Sequence, residues 1–141
     1  MGYSLKTSRT LLASAVRSAS TATAIFIDAD AAAVRLYLTL TAVPGGAGVA
    51  PIIRGYDKVT YGASLAAQIN PSGLGCCNLT TGGEPVSQIG TYCYEMCFAP
   101  DPPFGNIREA VSRPMPFQWD VLVMHYDALS WTYSLSAEIS R

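Results

Sequence analysis

The chain has 141 residues, the size of one domain. Half of them are hydrophobic and only 13% are charged, which excludes an intrinsically disordered chain. The net charge of −1 excludes the basic surface of an ordinary nucleic-acid binder. No apolar run approaches the roughly 18–20 residues of a membrane-spanning helix, so neither nucleic acid nor membrane is expected as a partner. A surface with so few charges is poorly protected against association, and part of it is expected to be buried in an assembly.

Residues 1–141 read as a single domain, with 1–9 as an N-terminal arm. The segment up to Ile27 carries Lys6, Arg9 and Arg17 and no acid, so it reads either as a basic arm or as a first strand behind a tail. Arg17 cuts the apolar stretch Leu11–Val16 below the length of a secretory core. Lys6 stands where a myristoylation signal needs Ser or Thr. From Val34 the period is two: Val34, Leu36, Leu38 and Leu40 alternate with Arg35, Tyr37, Thr39 and Thr41, a half-buried strand. Pro44–Gly48 turns the chain, and Val49–Tyr56 forms a second strand. Asp57-Lys58 is a turn, and Val59–Ile69 continues as a strand or short hairpin.

Asn70–Gly90 reads as a long Gly- and Pro-containing loop, of a length that tends to be functional or contact-making. Gly90–Phe98 is a tyrosine-rich strand, with Tyr92, Tyr94, Met96 and Phe98 on one face and Cys93, Glu95 and Cys97 on the other. Pro100, Pro102 and Pro103 impose a loop. Asn106–Ser112 is the one stretch with local capacity for a helical turn. Phe117–Met124 reads as a central strand, Tyr126-Asp127-Ala128 as a turn, and Leu129–Ile139 as a strand with one apolar and one hydroxyl-rich face. Seven or eight such strands define an all-β fold, an antiparallel β-sandwich of immunoglobulin-like or jelly-roll type with long Gly/Pro-rich loops.

Chemistry is sparse. The single histidine, His125, precedes Asp127, but no Gly-x-Ser-x-Gly elbow accompanies it, so it reads as a strand-end residue capping a hairpin. No two carboxylates are singled out by spacing. Cys76, Cys77, Cys93 and Cys97 lack metal-knuckle spacing. On a strand Cys93 and Cys97 lie about 13 Å apart, too far to bridge each other. They read as reduced thiols, with a disulfide from the Cys76-Cys77 loop to one strand cysteine geometrically open. No enzyme activity and no cofactor are expected. The eight tyrosines and two tryptophans either line a sugar-binding face or fill core and interface. Their spread over several strands and faces favours core and interface, with Tyr92 and Tyr94 as interface candidates beside Lys6, Arg9 and Arg17.

Several stretches together resemble a group of small tailed-phage virion proteins. They are Arg9–Ala15, Val34–Gly45, Pro51–Asp57, Ser112–Pro116, Val121–His125 and Thr132–Ala137, in the same order over most of the chain. The resemblance implies a β-sandwich building block of a bacteriophage particle, assembled in the bacterial cytoplasm, and above all a head decoration or cement protein. It implies the major capsid protein and further copies of this chain as partners, with a trimer expected. A neck, tail or baseplate position, or a carbohydrate-binding module for host contact, is the alternative. The chain departs from the pattern between Ala66 and Gly90, and at Cys93 and Cys97.

Overall fold

The computed structural model describes residues 6–24, 26–27, 31–55, 68–69, 75–78, 80, 83–97, 107–112 and 118–140. Among them the fold is all-β, without helix, in two packed sheets. The strands are β1 Lys6–Arg17, β2 Thr21–Ala22, β3 Phe26–Ile27, β4 Ala33–Ala42, β5 Val49–Gly55, β6 Gln68–Ile69, β7 Gly75–Asn78, β8 Gly90–Cys97, β9 Ile107–Ser112, β10 Gln118–His125 and β11 Trp131–Ser140. The first sheet runs β1-β11-β4-β8-β9. The second runs β2-β10-β5-β7-β6, with β3 also on β10.

The two long consecutive strand pairs that the turns suggest do not form hairpins. β4 and β5 lie in different sheets, and so do β10 and β11. Instead β4 pairs with β11 and β5 with β10, both antiparallel. The segments 43–48 and 126–130 are therefore corners that carry the chain from one sheet to the other, not hairpins. The alternating pattern explains the packing. Val34, Leu36, Leu38 and Leu40 of β4 face inward and are fully buried. They meet Trp119, Val121 and Val123 of β10 and Ile53 of β5 across the sandwich, with Tyr133 and Leu135 from β11 completing the cluster. Each such side chain contributes about 1.5–3 kcal/mol of apolar burial.

Three expectations change. Residues 6–9, expected within an N-terminal arm, are strand. Lys6, Thr7, Ser8 and Arg9 pair with Ser140, Ile139, Glu138 and Ala137 of β11, because the open edge of that strand offers hydrogen bonds a free arm would forgo. Asn106–Ser112 holds no helical turn over its described part. Ile107–Ser112 is a strand parallel to β8, tertiary pairing overriding a weak local preference. Asn70–Gly90 is not a plain loop. It contains β7, which pairs with β5, and an isolated bridge in which Val49 and Val86 exchange both backbone hydrogen bonds, at 3.1 and 2.9 Å. Gly48 allows this close approach. Its φ of +115° suits glycine, and a Cβ there would press on the Val86 carbonyl.

The second sheet also buries an ion pair on its face away from the core. Arg54 and Asp120 are register partners. The Arg54 guanidinium donates from Nε to Asp120 Oδ1 at 2.8 Å and from Nη2 to Oδ2, a bidentate pair with both residues buried. Thr80 is buried as well, and its Oγ1 accepts the Ile53 N–H of β5 at 2.9 Å.

Leu36→Ala opens a cavity where both sheets meet, and should cost about 2–5 kcal/mol in urea unfolding. Thr39→Ala, on the outer face of the same strand, should stay within about 0.5 kcal/mol.

Candidate functional site

Two regions gather the polar and exposed groups: the outer face of the first sheet, and the end of the sandwich where the corners lie. On the outer face the strand register aligns charges in a row. Glu138 of β11, Arg35 of β4 and Glu95 of β8 are successive cross-strand partners. Arg35 Nη2 donates to Glu95 Oε2 at 3.0 Å. Tyr37, one pleat along, donates its hydroxyl to Glu138 Oε1 at 2.7 Å. Burial works against the Arg35 charge, but hydrogen bonds to Glu95 and Tyr37 outweigh it and keep the guanidinium protonated. Burial and the bond to Glu138 raise the Tyr37 hydroxyl above its usual range, so it remains a donor. Beside this row a trough of about 280 Å³ is lined by Ser8, Arg9, Thr10, Tyr37, Ser136, Ala137 and Glu138.

Cys93 lies in the next row, opposite Tyr37. It is a free, buried thiol. Burial pushes it up, against a smaller pull from Arg35, so it is a poor nucleophile. Cys76 and Cys77 belong to β7 in the other sheet. A Cys76-Cys77 bridge to Cys93 is therefore not formed: Cys93 points away from the sheet that carries β7. Cys97 ends β8, opposite Ala33 in register. Among the described residues no group of three His, Cys, Asp or Glu side chains is placed to hold a metal ion.

The other singled-out residues divide. Tyr94 is 2% exposed and sits in the core, so it is unavailable as an interface contact; burial pushes its hydroxyl up to about 12. Tyr92 is half-buried, donates to the Gln88 carbonyl at 2.8 Å, and has the Arg108 guanidinium 6.0 Å from its ring centre. Trp119 and Trp131 are fully buried, which removes them from any sugar platform. Arg9 is exposed and sits 5.1 Å over the Phe26 ring. Lys6 opens β1, opposite Ser140. Arg17 is engaged within the fold. It stacks 4.8 Å over the Tyr133 ring and donates to the carbonyls of Tyr133 at 2.8 Å and Ala13 at 2.7 Å.

The corner end was not singled out in the sequence. Asp127 is its hub. Oδ1 accepts from Leu129 N–H at 3.0 Å and from Trp131 Nε1 at 2.9 Å, while Oδ2 accepts from Ala47 N–H at 2.6 Å. The bond from Trp131 leads these in holding the carboxyl below the usual aspartate range. Tyr126 N–H adds a bond to the Gly48 carbonyl at 3.0 Å. Gly46 packs so tightly here that a Cβ would collide with the Asp127 carboxylate. His125 ends β10 at a corner between sheets rather than at a hairpin. Its Nε2 lies 2.8 Å from Tyr133 Oη.

Four large apolar side chains are exposed among the described residues: Val16, Ile89, Tyr126 and Leu129. Register places all four at this end. Val16 is opposite Thr132 near the start of β11, and Ile89 precedes Gly90, the partner of Leu40. Tyr126 and Leu129 belong to the corner itself. Alternation alone marks a residue as inward or outward, but not which exposed residues from distant segments lie at the same end of the sandwich.

Comparison with known proteins returns no matching family model, no matching curated protein and no matching solved structure.

Burial lowers the His125 pKa, opposed by Asp127 and reinforced by Arg17. Folding therefore favours the neutral ring. That stability is complete above the unfolded value of 6.5 and is lost as pH falls below it through the depressed folded value. Urea midpoints should drop between about pH 7 and pH 5, and His125→Gln should flatten the curve in that window. Cys93 should resist maleimide in native protein and react fully in denaturant, as read by peptide mass mapping.

Proposed function

We propose that this protein is a structural component of a bacteriophage virion, a decoration or cement protein that bridges and stabilises major capsid subunits. The observation that carries a contact role is the apolar end of the sandwich. Val16, Ile89, Tyr126 and Leu129 are each exposed at this end, whose two corners are cross-bonded through Asp127. Exposed apolar side chains gathered on a rigid support are the makings of an interface core. The phage setting rests on the sequence resemblance. The charge-poor composition agrees with a surface buried in an assembly. In this reading the partners are the major capsid protein and further copies of the chain, grouped as a trimer on three-fold positions.

A host-glycan module is the second reading, favoured by one feature. The trough on the first sheet presents the hydroxyls of Ser8, Thr10 and Ser136 beside Tyr37 and the Glu138 carboxylate. These groups match a polyhydroxylated ligand better than the buried tryptophans do.

Cryo-electron microscopy of the intact particle tests the main reading. The expected result is copies on the order of hundreds, seated over capsid seams with the corner end against the shell. Val16→Asp with Ile89→Asp should abolish attachment and leave the unfolding midpoint nearly unchanged, since both side chains are exposed. A ring of about 3 to 12 copies at the neck or tail would overturn the cement role. Absence from the particle would overturn the virion reading.

A further inference from the structure

We infer that Arg17, Tyr133 and His125 form an acid-sensitive latch: protonation of His125 loosens Arg17 from Tyr133 and releases the end of β1 while both sheets stay folded. The chain leaves β1 at Arg17 and enters β2 at Thr21, passing from the first sheet to the second. This crossing is fastened to His125 and Tyr133. Arg17 sits 4.8 Å over the Tyr133 ring and donates to the Tyr133 carbonyl at 2.8 Å. Ser20 Oγ accepts the His125 backbone N–H at 2.9 Å. The His125 imidazole lies 5.6 Å from the same Tyr133 ring, with Nε2 2.8 Å from its hydroxyl. Tyr133 therefore contacts both a cation and a group that can become one.

The neutral ring fits this arrangement and the charged ring does not. A neutral imidazole has one N–H, whereas a protonated one has two, and each needs an acceptor. The Nε2–H can donate to Tyr133 Oη. Nδ1 is buried and has no partner among the described residues, so a proton there creates a buried donor without an acceptor. The charged and titratable groups that bear on His125 are Arg17 of β1, Tyr133 of β11 and Asp127 of the corner. Arg17 repels the added charge. Asp127 attracts it, but its oxygens already accept from Ala47, Leu129 and Trp131. Burial, with Arg17, prevails over Asp127 and disfavours the proton in the closed fold.

Such coupling is reciprocal. If docked Arg17 disfavours the proton, the proton disfavours docked Arg17 by the same factor. The protein can accept the proton by unfolding throughout or by opening in part, and the opening of lower free energy dominates. The end of β1 is that part. Ala13, Ser14, Ala15 and Val16 are exposed, as are Ser18, Ala19 and Ser20. The register with β11 breaks between Thr10 and Leu12 and again between Leu12 and Ala15. Arg17 itself braces this stretch, donating to the carbonyls of Ala13 and Ala15 at 2.7 and 3.4 Å. The strands beneath, β10 and β11, each lie between two partners. The inference is independent of where the protein works.

Amide hydrogen exchange and NMR of the His125 ring, followed from about pH 7.5 to pH 5, test the latch. As His125 protonates, protection of the amides in Ala13–Arg17 should fall roughly tenfold beyond the intrinsic pH dependence of exchange. Leu36 and Leu38 of β4 should keep theirs. Arg17→Gln should raise the pH at which the His125 ring titrates and leave Ala13–Arg17 weakly protected at every pH. His125→Gln should make that protection independent of pH in this range. An equal loss of protection in β4 would overturn the proposal in favour of global unfolding, as would a His125 titration that leaves β1 protection unchanged. An unaltered His125 titration in Arg17→Gln would overturn it as well, whatever the fate of the His125→Gln protein.

Discussion

The sandwich depends on a constraint at its corners. Two antiparallel pairs, β4 with β11 and β5 with β10, face each other, and the chain passes between sheets at 43–48 and 126–130. Apolar burial holds the sheets together but is non-directional and does not fix how the corners nest. The Asp127 carboxylate supplies the direction. It gathers donors from its own corner, from the opposite corner, and from the buried Trp131 at the start of β11. Gly46 makes room for it, and the Tyr126–Gly48 bond closes the contact. A hydrogen bond to a charged acceptor is stronger than a neutral one, so a single carboxylate can couple three segments.

That corner also explains the division of the surface. The turns at the end of the sandwich are cross-bonded, and it carries the exposed apolar side chains. The outer face of the first sheet is polar, ordered by cross-strand pairs of Glu138, Arg35 and Glu95 and by the Tyr37–Glu138 bond. The edge strand β1 joins the two regions. Register breaks mark its C-terminal half, where Arg17 folds back onto the Ala13 carbonyl, while Lys6–Thr10 pairs with β11 in unbroken register. A protein with exposed apolar side chains at one end and a polar sheet face offers two different chemistries of contact on a small fold.

The period-two runs made the long strands legible. Val34–Thr41 and Leu129–Ile139 were assigned to strands with the correct buried face, except that Leu129 itself is exposed in the corner. The turn at Tyr126–Ala128 was also legible, from a polar residue between two apolar runs. β7 and β9 were not, because neither Gly75–Asn78 nor Ile107–Ser112 carries a sustained alternation; their pairing partners give them their form. Among the site residues, alternation put Tyr94 and Cys93 on opposite faces of β8. It could not say that the Tyr94 face is the core, since Cys93 and Glu95 on the other face are buried too.

The sequence by itself determined the fold class, the inward face of the long strands, and the scarcity of charge, because these follow from local periodicity and composition. Only the tertiary structure decided which strands are neighbours. Pairing between distant segments aligns Arg35 with Glu95 and Glu138, engages Arg17 with the Tyr133 carbonyl, and leaves Cys93 in the sheet opposite β7. It also brings Ala47 to Asp127 across eighty positions of chain. No local pattern encodes such contacts, because they arise from the registers and corners that bury the core as a whole.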